Sequence, residues 1–143
     1  AQVGVPFLHI IDETVKEMAR VCPGIHTVGV LSSNGAVKAR VYHRSCEKFG
    51  MEVLDLPPEL QSQLHQSIVD PDYGLKYAGR TERCVADATE AANWLVDHGA
   101  EALIMGCTEI PLILGNDAKF PVPLLNPNKI IAEAAVRFAK GED

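Results

Sequence analysis

The chain has 143 residues, 47% hydrophobic and 22% charged, with 19 acidic against 13 basic side chains for a net charge of -6. That length suits one domain with its own core, and an acidic balance without a Lys/Arg cluster excludes nucleic acid and anionic membrane surfaces as natural partners, which favours a small molecule. The longest apolar stretches are broken by Asp12, Gly106 and Glu109, far short of the roughly 20 residues a bilayer span requires.

Residues 5–21, VPFLHIIDETVKEMARV, read as a short apolar strand, a polar cap and a helix. The opening has no basic start like that of a signal peptide, so a reducing cytoplasm is the expected compartment. His9 lies in an apolar run, which predicts a core or inter-lobe position. HTVGVLSS (26–33) is a β-branched strand running into NGAVKARVYHRSCEKFG, where Val37, Val41, Cys46 and Phe49 keep helical spacing until Gly50. MEVLDL (51–56) predicts a second strand. PPELQSQLHQSIVD follows as a helix with Pro58 in its first turn and Leu60, Leu64 and Ile68 inward.

After the turn DPDYG (70–74), Thr81 is a natural N-cap for a helix whose inner face holds Cys84, Ala88, Ala91, Ala92 and Leu95 and which stops at His98-Gly99. EALIMG is a third strand and VPLL (122–125) a fourth. The closing helix has Asn126 as N-cap, Pro127 at its first position and Ile130, Ala134 and Phe138 inward. His43 and His65 read as surface residues, Trp94 and Tyr42 as packing.

Alternating strands and helices predict a three-layer α/β/α sandwich on a four-stranded parallel sheet. Ligands of such sheets bind beyond the carboxyl ends of the strands, so the loops at Ser32-Ser33-Asn34-Gly35, Gly106-Cys107-Thr108-Glu109 and Asn126 should share one edge. Residues 5–21 also echo residues 122–138, both Val-Pro, strand, cap and helix. Either residues 1–21 close a lobe preceding this one, or β-α units simply look alike.

Cys22, Cys46, Cys84 and Cys107 form no CxxC pair and have no histidine at zinc-ligand spacing, so neither a disulfide framework nor a structural metal is expected. Cys22, Cys46 and Cys84 read as buried small hydrophobes. Cys107 differs because it follows a strand and opens a helix, ALIMGCTEIPLI, with Thr108 as predicted N-cap and Pro111 in the first turn. Such a helix end would favour the thiolate, and its free N–H groups with the Thr108 hydroxyl would hold a substrate carboxylate. Position alone leaves a core cysteine and an active one both open.

MGCTEIPLIL resembles the second cysteine motif of the aspartate/glutamate racemase superfamily, aspartate racemase and the broad-specificity amino-acid racemases in particular. VGVLSSNGAVKARVYHRSCEKFGMEVLDLPPELQ is similar to the family's strand, hydroxyl-bearing loop, tyrosine-containing helix and following strand, and VPFLHIIDET to the segment leaving the first lobe. The resemblance implies one lobe of a two-lobe fold. It implies racemisation of an amino acid, aspartate or a broader set, without metal or organic cofactor, by two cysteines acting as acid and base on opposite faces of Cα.

On this resemblance Cys107 is the second cysteine, Ser33 a substrate-binding hydroxyl, Lys76 a contact to the distal carboxylate, Thr108 a carboxylate contact and Glu109 a residue that orients the site. Ala36 replaces a second common threonine, and Asn126 stands where relatives have aspartate. The first cysteine, in a Cys-Asn-Thr context, has no counterpart in the sequence. The expected division is therefore residues 1–21 closing a missing N-terminal lobe, 22–125 forming the second lobe, and a C-terminal helix over 126–143 packing back on the first. Relatives dimerise, which makes a homodimer an expectation, and the chain by itself is expected to be inactive. Two alternatives remain open: a superfamily isomerase or decarboxylase using Cys107, and a catalytically silent carboxylate-binding fragment.

Overall fold

The computed structural model of the protein describes residues 4–115 and 117–142. Four strands, β1 (Thr27–Leu31), β2 (Glu52–Leu54), β3 (Ala102–Met105) and β4 (Leu124–Leu125), form one sheet in the order β2-β1-β3-β4. Every pairing is parallel, with Val28 opposite Ala102 and Leu31 opposite Met105 in the central pair. β3 is buried along its whole length, as a strand covered on both faces must be.

The covering helices are α1 (Ile10–Val21), α2 (Asn34–Lys38), α3 (Val41–Glu47), α4 (Pro58–Val69), α5 (Leu75–Ala78), α6 (Glu82–Asp97), α7 (Ile110–Leu114) and α8 (Pro127–Lys140). Strand alternation sorts the core into two clusters. Leu31, Leu103 and Met105 pack with Leu64, Leu95 and Ile113 on the side of α4, α6 and α7. Val28, Val30, Ala102 and Ile104 pack with side chains of α1, α3 and α8 on the other. The result is the three-layer sandwich the sequence predicts. β1 connects to β2 over one face, and the chain then returns over the opposite face to β3 on the far side of β1. That reversal between β1 and β3 is the topological switch point of the sheet.

Local chemistry explains most element ends. The Thr81 hydroxyl accepts from the Cys84 N–H at 3.1 Å, and the Asn126 side-chain Oδ1 accepts from the N–H groups of Asn128 and Lys129 at 3.0 and 3.4 Å, so both predicted N-caps form. The helix predicted through residues 35–49 is divided. Arg40 takes a left-handed conformation at φ 52° and separates α2 from α3, while the Arg44 guanidinium donates to the carbonyls of Ala39 and Arg40 at the break. The break turns Phe49 outward, and Phe138 near the end of α8 is likewise exposed; both were expected inside. The predicted strands shorten to 52–54 and 124–125.

Residues 4–9 join no strand. His9, expected in a core, is exposed and caps α1, accepting from the Asp12 N–H at 3.4 Å. α1 packs on α3 and α8, and its Val15 and Met18 are fully buried with Ile130 and the sheet. The helix that the internal repeat assigns to a preceding lobe thus shares the core of this one.

Gly29 sits in the middle of β1, where an added Cβ would lie 2.7 Å from Leu103 Cδ2 and 3.0–3.1 Å from Leu95. Its lack of a side chain lets α6 close onto the sheet. Gly29→Val is expected to lower stability by about 1–3 kcal/mol through overpacking, read as a reduced urea midpoint at unchanged m-value.

Candidate active site

The carboxyl ends of β1 and β3 are tied together by the Gly106 N–H, which donates to the Leu31 carbonyl at 2.7 Å. A Cβ on Gly106 would meet Val30 Cγ1 at 2.7 Å and Ser32 Cβ and Tyr42 Cε2 at 3.1 Å. Glycine here therefore lets the end of β3 lie against Ser32 and Tyr42 and delivers Cys107 to the switch point.

Cys107 is half-buried, whereas Cys22, Cys46 and Cys84 are buried. Cys46 and Cys84 lie in the two cores, and the Cys84 thiol is directed at the Thr81 carbonyl at 3.1 Å. Burial pushes the Cys107 thiol up to about 11. The N–H groups of Glu109 and Ile110 pull the other way, and the Glu109 carboxylate adds to the rise by accepting from the thiol and repelling a thiolate. The helix end does favour the thiolate, as expected, but burial outweighs it, and the reason is structural. α7 has only five residues, so few aligned peptides oppose the desolvation of the sulfur.

The helix also starts later than predicted. Glu109, not Thr108, is its N-cap residue, without a side-chain cap bond. The Thr108 hydroxyl instead donates to Glu109 Oε2 at 3.0 Å. Lys76, held in α5 behind an Asp70 turn whose carboxylate accepts from the N–H groups of Asp72 and Tyr73, pairs with Glu109 Oε1 at 3.4 Å. Burial works to raise the Glu109 carboxyl, but hydrogen bonds from Thr108, its own N–H and Cys107, with the charge of Lys76, hold it below the usual value. Glu109 is thus an ionised hub joining Cys107, Thr108 and Lys76. Ser33 lies on the adjacent loop and caps α2, accepting from the Ala36 N–H at 3.4 Å. Among the described residues no hydrogen bond links it to the other four.

Two buried polar residues beside this edge escape a reading by pattern. His43, predicted at the surface, is buried and bonds through Nε2 to Asp55 Oδ1 at 2.9 Å. Ser32 is buried against Gly106. The 3.6-residue periodicity that puts Tyr42 and Cys46 inside α3 says nothing of His43, which the shift at Arg40 turns inward. Tyr42 packs as predicted, and burial, with Cys107 and Cys46 nearby, pushes its phenol up. Trp94 stacks on His98 at 3.8 Å between ring centroids.

A large concavity, about 770 Å³, lies elsewhere, along the outer face of α6 by Val85, Ala86, Thr89, Asn93 and Trp94. None of the four cysteines lines it, so size does not decide the site. Among the described residues no group of His, Cys, Asp and Glu could hold a metal ion, and no helix is long and apolar enough to cross a membrane.

Fold and edge together define an α/β lobe that presents a cysteine at the switch point of a parallel sheet. A family model for Asp/Glu/hydantoin racemases matches residues 1–135, and the chain belongs to that family. Among solved structures it is similar to a candidate Asp/Glu racemase from Yersinia pestis, at 27% identity and a TM-score of 0.82 over 95% of this chain and 57% of that one. An aspartate racemase homologue from Pyrococcus horikoshii (24% identity, TM-score 0.76, 96% and 58% covered) and the Picrophilus torridus aspartate racemase (21%, 0.67, 97% and 55%) share the fold. The chain spans little more than half the length of each of these structures.

The raised thiol sets an expected pH dependence. A free thiol titrates near about 8.5, so alkylation of Cys107, followed by peptide mass spectrometry, should keep accelerating beyond about pH 9 where a free thiol levels off. Glu109→Gln removes a group that disfavours the thiolate and should shift the profile to lower pH.

Proposed function

We propose that this chain is the cysteine-bearing second lobe of a cofactor-independent amino-acid racemase, with Cys107 as one of two opposed acid/base groups at Cα. The observation that carries the reading is the half-buried Cys107 thiol at the β1/β3 switch point, beside a Lys76-Glu109 pair at the start of α7. Family membership supports racemase-type isomerisation, and the candidate Asp/Glu racemase from Yersinia pestis points to an acidic amino acid or a broader set.

A thiol that titrates near 11 rests protonated at neutral pH. In one direction a base on the opposite face removes the α-proton, the electron pair is left on Cα conjugated with the carboxyl group, and Cys107 gives its proton to the near face. In the other direction the Cys107 thiolate takes the proton and the opposed group returns one. The α-carboxylate would sit against the Thr108 hydroxyl, taking the place of Glu109 Oε2 as its acceptor, with Ser33 on the adjoining loop. Lys76 would exchange its pairing with Glu109 for the distal carboxylate of the substrate. That exchange leaves the Glu109 charge uncompensated beside the sulfur and favours the thiol, so an acidic substrate would help keep Cys107 a proton donor.

The opposed base would come from an N-terminal lobe outside this sequence. Cys22, Cys46 and Cys84 are buried, and this chain covers only 57% and 58% of two of the matched structures. A superfamily decarboxylase or isomerase with one cysteine is the second reading, favoured by the resting thiol, since protonation of a carbanion needs only a donor.

In an enzyme containing this lobe and its partner lobe, Cys107→Ala should lower aspartate racemisation at least about 100-fold, followed by polarimetry. The 143-residue chain alone should show none. Retained racemisation in the variant would remove Cys107 from the reaction, whereas carbon dioxide release with one product enantiomer would favour the second reading.

A further inference from the structure

Beside the Cys107 edge lies a second polar constellation that the proposed chemistry does not use. The hydroxyl of Ser32, 1% exposed, and Nδ1 of His43, 7% exposed, have no hydrogen-bond partner among the described residues. Both residues line one small cavity closed by Val30, Tyr42 and Val53. An unsatisfied buried polar atom is costly, and two at one cavity call for a shared partner. The cavity is about 10 Å³, the size that holds a single water molecule.

We infer that a buried water binds between Ser32 Oγ and His43 Nδ1, completing a chain Asp55–His43–water–Ser32 that fixes the loop carrying Ser33. The donors and acceptors balance. His43 Nε2 lies 2.9 Å from Asp55 Oδ1, so a neutral ring donates there and leaves Nδ1 as an acceptor. The water donates one hydrogen to Nδ1 and shares the second bond with the Ser32 hydroxyl, which both donates and accepts.

The loop is already held from the other side. Gln61 on α4 donates through Nε2 to the Ser32 carbonyl and to Asn34 Oδ1, both at 3.0 Å. The water would supply the matching anchor from α3, on the opposite face of the sheet from α4. Ser32 and His43 are thus positioning residues, and this assignment stands whether or not the lobe racemises anything.

The sign of one stability change separates the alternatives. If the water is bound, Ser32→Ala removes a satisfied hydroxyl and the thermal midpoint falls. If the hydroxyl is unpartnered, the same change removes a buried polar atom and the midpoint rises or stays. A high-resolution crystal structure of the purified protein should show a solvent peak within hydrogen-bond distance of both atoms, absent in Ser32→Ala. Hydrogen exchange at the amides of Ser33 to Val37 should quicken in Ser32→Ala and in His43→Phe. A dry cavity, a direct Ser32–His43 bond, a midpoint that does not fall or unchanged exchange would each overturn the inference.

Discussion

The hydrogen bond from the Gly106 N–H to the Leu31 carbonyl joins the two strands between which the chain reverses its direction of travel across the sheet. The candidate site is built largely on that junction. Ser32 and Ser33 leave the end of β1, and Cys107, Thr108 and Glu109 leave the end of β3. A side chain at residue 106 would collide with Val30, Ser32 and Tyr42, so the approach that brings these loops together depends on a single missing Cβ. The two apolar clusters on either face of the sheet hold the junction rigid.

The ionisation of Cys107 follows from a competition at its sulfur. Helix-end N–H groups favour a thiolate and burial favours a thiol; burial is the larger effect, and the Glu109 carboxylate adds to it. In the proposed reaction a resting thiol is the state required of the group that delivers a proton to a carbanion, and the opposed group would then rest as the base. Lys76 would there connect this balance to the substrate, because its ammonium is already paired with the carboxylate that biases the sulfur. A distal carboxylate competing for Lys76 would therefore affect proton transfer as well as binding.

Much of this was legible in the residues alone. The alternation of β-branched runs with amphipathic helices predicted the layers, and the caps at Thr81 and Asn126 formed where their side chains and the following Pro127 indicated. GCTE after a strand marked the edge, since a parallel sheet must present its strand ends there. Three features were not legible, each because tertiary structure overrode a local pattern. Arg40 adopts a left-handed conformation that no residue-type preference announces, and this turned His43 inward and Phe49 outward. The Cys107 ionisation depended on how deeply the sulfur is buried, which spacing does not encode. The link between Lys76 and Glu109 crosses 33 positions of sequence and needed the fold to appear.

The central claim is that Cys107 serves one face of Cα and a separate group the other. Its most direct test is solvent-deuterium exchange at Cα, started from each enantiomer of aspartate in turn, in an enzyme containing this lobe with Cys107→Ser. If Cys107 is one of two opposed bases, exchange should be lost for the enantiomer whose α-proton faces residue 107 and persist, with retained configuration, for the other. Exchange of both enantiomers at the rates of the unmodified enzyme would contradict the account.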